Sequence, residues 1–188
     1  MKTSKARSYL EYLFVRSVLV GLAALPRPIR LKVAYFFGYL GYLLAKRLRK
    51  TARRNLEMAL PELSTTEHEK IIKGIFRNFG RLLAEFSYFP KFNRAKIEKL
   101  VVYEGLEHFQ KGIEKGRGVL FLTGHVGAWE LSAFAHAVYG YPHNILVRQI
   151  DNPYIDKLVD YYRACSGNKA IDKNNSVRAI LSALKRGE

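Results

Sequence analysis

The chain has 188 residues, of which 48% are apolar and 13% aromatic, enough for one substantial core and too apolar for a disordered polymer. Its one cysteine, Cys165, excludes an intrachain disulfide. Lysine and arginine number 32 against 16 acidic residues, a formal charge of +16, which points to anionic partners (nucleic acid, acidic lipid headgroups or an acidic carrier protein) without choosing among them.

In chain order, residues 9–25 form an apolar stretch interrupted by Glu11 and Arg16. Pro26-Arg27-Pro28 breaks it, and a second stretch rich in tyrosine and glycine occupies 33–45. A bilayer-spanning helix needs about 20 mostly apolar residues; neither stretch reaches that without a charge, and the second has the composition of a membrane interface. Charges interrupt the first apolar segment, so the start does not read as a cleaved signal peptide. Lys46, Arg47, Arg49, Lys50, Arg53 and Arg54 follow at once. Three readings stay open for this region. The helices attach to a membrane, with each basic residue contributing about 1 kcal/mol against an anionic leaflet. They pack on a soluble core and present an ordinary solvated face. Or the basic run binds RNA, although it lacks interleaved aromatics. We assign residues 1–48 to membrane association and 49–188 to a partial α/β domain.

Pro61-Glu62-Leu63-Ser64 predicts a turn, and Thr66 with Glu69 a capping box at the start of a helix. Ile72, Ile75, Phe76, Phe79, Leu82, Leu83 and Phe86 recur at helical spacing as a core stripe that Pro90 ends. Arg77, Arg81 and Glu85 share one face at four-residue steps. From about residue 100 the pattern alternates. It predicts a strand over 100–103, a helix over 107–115, a buried strand at Val119-Leu120-Phe121-Leu122 and a helix over 128–138. A strand over Asn144–Val147 and helices over 154–165 and Ser176–Lys185 follow. The expected fold is α/β, a mostly parallel sheet flanked by helices with right-handed crossovers. The chain stops after Arg186-Gly187-Glu188, where another strand is expected, so the domain reads as a fragment.

One predicted strand ends in Thr123-Gly124-His125-Val126-Gly127-Ala128-Trp129-Glu130. Ligands of parallel sheets bind at such strand ends, and glycines on either side of His125 allow a tight turn and a close approach of backbone to ligand. On one regular helix His125 and Glu130, five steps of about 100° apart, would point about 140° from each other. A turn between them lets the carboxylate fold back onto one imidazole nitrogen and leaves the other facing a pocket, the arrangement that fixes tautomer and stabilises an imidazolium. A structural histidine at a strand end is the alternative. His68, His108, His136 and His143 make no metal-ligand pair with His125, no Gly-x-Ser-x-Gly elbow exists, and neither metal nor cofactor is expected.

The segment Gly124-His125-Val126-Gly127-Ala128-Trp129-Glu130 resembles the histidine-x4-acid motif of the glycerolipid and lysophospholipid acyltransferases. More narrowly, it resembles the bacterial lipid A biosynthesis acyltransferases, in which tryptophan precedes the glutamate. Arg54-Asn55-Leu56, Leu60-Pro61-Glu62-Leu63, and Arg148 followed by Asp151-Asn152-Pro153 extend the likeness over roughly residues 50–188. Ala128 departs from it where asparagine is frequent, and the family's later strands, its Asp-Gln segment and its Phe-Phe-Gly-type motif are missing. The resemblance implies acyl transfer from an acyl carrier protein thioester, or acyl-CoA, to a hydroxyl of a glycolipid acceptor, a lipid A precursor. His125 would be the general base and Glu130 its orienting acid, with Arg148, Gly127, Trp129 and Asn152 around the substrate. It also implies a place on the cytoplasmic face of the inner membrane, against anionic lipids, with no nucleic acid. Another lysolipid acceptor, such as a mannosylated phosphatidylinositol, fits the same pair, and a non-catalytic basic membrane-binding protein would explain the charge alone.

Overall fold

The computed structural model describes residues 4–188. Its helices are α1 (Lys5–Ala24), α2 (Arg27–Leu44), α3 (Lys46–Ala59), α4 (Thr65–Ser87), α5 (Arg94–Ile97), α6 (Leu106–Ile113), α7 (Trp129–Val138), α8 (Pro153–Ala164) and α9 (Ser176–Lys185). Two strands, β1 (Asn144–Val147) and β2 (Lys169–Asp172), pair in parallel, in register from Asn144 opposite Lys169 to Val147 opposite Asp172. The chain divides into two compact units, Leu19–Tyr88 and the described part of Met1–Val18 together with Phe89–Glu188.

In the unit Leu19–Tyr88 the helix pair α2 and α4 is built around small residues. A Cβ on Gly38 would stand 2.5 Å from the Phe76 carbonyl oxygen, and one on Gly80 2.5 Å from that of Ala34. Only glycine lets the two backbones come so close. Ala34, Ile72 and Ala84 are fully buried beside them. The turn before α4 forms as expected, but its cap sits two residues earlier than Thr66–Glu69. The Ser64 hydroxyl accepts from the Glu67 N–H, and the Glu67 carboxylate accepts from the Ser64 N–H at 2.8 Å. Glu69 is instead taken by Tyr42 and by Arg53, the latter at 2.5 Å. The expected core stripe of α4 divides: Ile72 and Leu82 are buried, whereas Ile75 and Phe79 are exposed. Glu85 does not serve Arg77 or Arg81. It is buried, and Arg27 donates to its Oε1 through Nη2 at 2.7 Å and Nε at 3.1 Å.

Pro26-Arg27-Pro28 ends one helix and opens the next, as the sequence implies: Pro28 stands in the first turn of α2, where its missing N–H removes no helical bond. The inner face of α2 buries Arg30, Ala34 and Gly38, while Phe36, Tyr39, Leu43 and Leu44 face outward and are exposed. Among the described residues no helix is long and apolar enough to cross a membrane.

In the other unit, helices 107–115, 128–138 and 154–165 form to within two residues, and Asn144–Val147 and Ser176–Lys185 form as read. Two predicted strands do not. Residues 100–103 carry no strand, and Val119-Leu120-Phe121-Leu122 has no regular secondary structure, with Leu120 74% and Leu122 102% exposed. A strand exists only where a neighbour takes its N–H and C=O groups. Among the described residues β1 and β2 pair only with each other, so the mostly parallel sheet of the expectation is two strands within a mainly helical chain.

Candidate active site

The residues between the apolar run and α7 make two sharp reversals. The Val126 N–H donates to the Gly124 carbonyl at 2.9 Å, a three-residue turn with His125 at its centre. Gly127 then takes φ +58, a left-handed conformation in which a side chain would be strained. Helix α7 begins at once, with Ala128 at its N-cap offering no side-chain cap. This geometry places His125 on the surface, its ring 5.0 Å from that of Trp129 and inclined by 60°.

Glu130, in the first turn of α7, points elsewhere than expected. No hydrogen bond joins it to His125. Its carboxylate is gripped by Arg163 of α8, Nη2 to Oε1 at 2.5 Å and Nε to Oε2 at 3.1 Å, with both side chains 20% exposed. The largely buried guanidinium is the stronger competitor for those oxygens because it is always charged and matches them two for two. Burial is the largest single influence and opposes the Arg163 charge, but the bonds it donates to Glu130 together with the negative charges of Glu130, Asp160 and Asp156 outweigh it, and the guanidinium holds its proton more firmly than usual. Sequence reading missed Arg163: the contact joins residues 33 apart, and an arginine near the end of an amphipathic helix carries no mark of it.

The remaining expected site residues separate. Gly127 and Trp129 belong to the histidine turn. Arg148 lies on the exposed loop after β1 and donates to Asp151 at 3.1 Å. Asn152 is buried and occupied by the fold: its Oδ1 caps α8 by accepting from the N–H groups of Tyr154 and Ile155, and its Nδ2 donates to the Ser8 carbonyl at 2.8 Å and to Glu11 at 3.0 Å. In this structure the side chain is therefore spent on capping α8 and tying it to α1.

Beside the turn lies a cavity of about 330 Å³ whose walls include Thr123, Trp129, Ser132 and His136. His136 of α7 is buried within a ring of aromatics. Its Nδ1 lies 2.6 Å from the Tyr103 hydroxyl, and its Nε2 is buried with no hydrogen-bond partner. Burial, aided by His143 nearby, pushes the His136 pKa down to about 4, so the ring is neutral. Nothing in the sequence singles out His136 beyond its place on a helix. No group of three or more metal-ligating side chains occurs among the described residues.

The family model of bacterial lipid A biosynthesis acyltransferases matches residues 1–188. The chain is 29% identical over 182 residues to the lipid A biosynthesis lauroyltransferase of Escherichia coli (strain K12), covering 97% of this chain and 58% of that protein. It is 28% identical over 167 residues to the lipid A biosynthesis palmitoleoyltransferase of the same organism, covering 87% and 53%. To a lipid A biosynthesis acyltransferase of Haemophilus influenzae it is 30% identical over 178 residues, covering 92% and 54%. It thus spans little more than half the length of the curated relatives it matches. The chain belongs to the bacterial lipid A biosynthesis acyltransferase family.

Proposed function

We propose that this chain carries the catalytic histidine of an acyltransferase that moves a fatty-acyl chain from a thioester to a hydroxyl of a lipid A precursor. The donor is an acyl carrier protein thioester, with acyl-CoA the alternative. The observation that carries the reading is the placement of His125: an exposed imidazole at the apex of a tight turn, against Trp129 and beside a cavity. His125 takes the proton of the acceptor hydroxyl as it attacks the thioester carbonyl, and returns it to the departing thiolate. Glu130, fixed in plane by Arg163, stabilises the imidazolium formed in between. A carboxylate offers about four lone-pair sites, so the two bonds to Arg163 leave room for an imidazole N–H. Arg148, on its exposed loop, would exchange Asp151 for a phosphate of either substrate.

The outer face of α2 and the cations of α3 support attachment to the cytoplasmic face of the inner membrane. Phe36, Tyr39, Leu43 and Leu44 offer apolar surface, and Lys46, Arg47 and Lys50 follow at the start of α3. A helix lying in the headgroup region needs this pairing of apolar and basic surface. The same cations would steer an acidic carrier protein.

Acyl transfer from lauroyl carrier protein to a purified lipid A precursor tests the chemistry. His125→Ala is expected to lower the rate about 10²–10⁴-fold, the range of general base catalysis. Wild-type rates in that variant would remove His125 from the mechanism. Flotation with vesicles of anionic and of neutral lipid tests the membrane reading, with binding expected to the first and to fall with added salt.

A further inference from the structure

We infer that the cavity beside the histidine turn seats the chain of the acyl donor, and that His136 selects chains bearing a hydroxyl group near the thioester. The inference deepens the acyl-transfer reading and rests on it.

Most of the cavity wall is hydrocarbon or aromatic, from Val101, Phe121, Trp129, Ala133 and Ala135. Its volume, about 330 Å³, lies at the lower end for ligand pockets. Such a wall suits a chain. Its polar members include Tyr103, Glu104, Thr123, Ser132 and His143, but His136 is the one among them with an atom, Nε2, buried without a partner, a cost that a folded protein seldom bears without use. The Tyr103 hydroxyl beside Nδ1 can donate or accept, so Nε2 is left either as an unmet donor or as an unmet acceptor. A hydroxyl serves both cases, because it donates and accepts. A carboxylate or phosphate is not favoured, since the ring is neutral and offers no charge.

Location identifies which substrate enters. Thr123 and Trp129 belong both to the cavity wall and to the segment around His125, whereas His125 itself lies outside the wall and is exposed. The acceptor hydroxyl has to meet His125, from the open side. The donor then occupies the space beside it, its first carbons against His136.

Trp129 is the chain's one tryptophan and lines the cavity, so its fluorescence reports occupancy there. The test titrates the protein with octanoyl-, 2-hydroxyoctanoyl- and 3-hydroxyoctanoyl-pantetheine. One hydroxylated chain is expected to bind about tenfold tighter than the plain chain, the effect of satisfying one buried polar group. His136→Phe, which keeps a ring of similar shape, is expected to erase that preference while still binding the plain chain. If the variant fails to fold, the wild-type comparison decides alone, together with the ¹⁵N imidazole resonance of His136, which should shift with the hydroxylated chain only. Equal affinity for all three thioesters, binding of none, or a preference that survives His136→Phe overturns the inference. The parent reading fails separately, through unimpaired acyl transfer by His125→Ala, a residue outside the cavity wall.

Discussion

Arg163 holds both carboxylate oxygens of Glu130, at 2.5 and 3.1 Å, and so joins α8 to the first turn of α7. Two parallel charge-assisted bonds fix the plane of a carboxylate as well as its position. The histidine turn enters α7 one residue before Trp129, so the ion pair also sets where that turn stands.

Breaking this pair tests its weight. Arg163→Met leaves Glu130 four-fifths buried and unpaired, with an expected loss of about 1–3 kcal/mol in urea unfolding. Arg163→Lys supplies charge without the fork and should recover only part of it. Acyl transfer should fall at least tenfold in both. An unchanged unfolding midpoint and an unchanged rate in Arg163→Met would show that Glu130 needs no such hold.

Asn152 invites a different test, because it lies in a family-like motif while its contacts are to the fold itself. Asn152→Ala removes the cap of α8 and the bonds to Ser8 and Glu11. The expected cost is about 1–2 kcal/mol, the range for a lost N-cap. Asn152→Asp keeps the capping oxygen but sets a carboxylate oxygen against the Ser8 carbonyl and Glu11 where the two donors stood, so it should cost at least as much. A KM that rises in either variant with stability unaltered would place Asn152 in the binding site instead.

Local signals account for what was legible. Helices with a clean apolar period and a proline or glycine stop appear where the sequence places them, and so does β1. The segment Val119-Leu120-Phe121-Leu122 was legible as apolar, yet whether an apolar run becomes a strand depends on partners, and β1 and β2 pair only with each other among the described residues. Strand β2, Lys-Ala-Ile-Asp, is too short and too polar to announce itself; its pairing with β1 makes it a strand. In the candidate site the turn around His125 was legible from its glycines. The partner of Glu130 was not, because a guanidinium 33 residues away outcompetes a neighbouring imidazole, and only folding brings it there.

The crossing of α2 and α4 makes a sharp claim about glycine. At Gly38 and at Gly80 an added methyl would meet a backbone carbonyl at 2.5 Å, and backbone cannot swing aside as a side chain can. Gly38→Ala or Gly80→Ala should each destabilise by about 1–3 kcal/mol, the cost of overpacking. Gly21→Ala in α1, which meets nothing within 4 Å, should stabilise by about 0.5–1 kcal/mol through helix propensity. Thermal melts of the three variants would expose an error if all moved the same way.

His136 ties stability to pH in a direction that can be worked out. Its pKa falls from 6.5 to about 4 on burial, with His143 adding to the shift, so between those values the unfolded chain binds a proton that the folded chain refuses. Stability is therefore full above about pH 6.5 and is lost as pH falls toward 4. At about 1.4 kcal/mol per pH unit inside the window, moving from pH 7 to pH 5 should cost on the order of 2 kcal/mol from this ring. His143, whose pKa burial also lowers, acts in the same sense. The carboxylates of Glu67 and Glu69 are held below their usual range by hydrogen bonds, and their stabilisation is lost at lower pH than the histidine contribution. Urea midpoints measured at pH 7 and pH 5 give the slope, and His136→Phe should flatten it. A wild-type protein equally stable at both values would mean that the ring takes up its proton without opening the aromatic cluster around it.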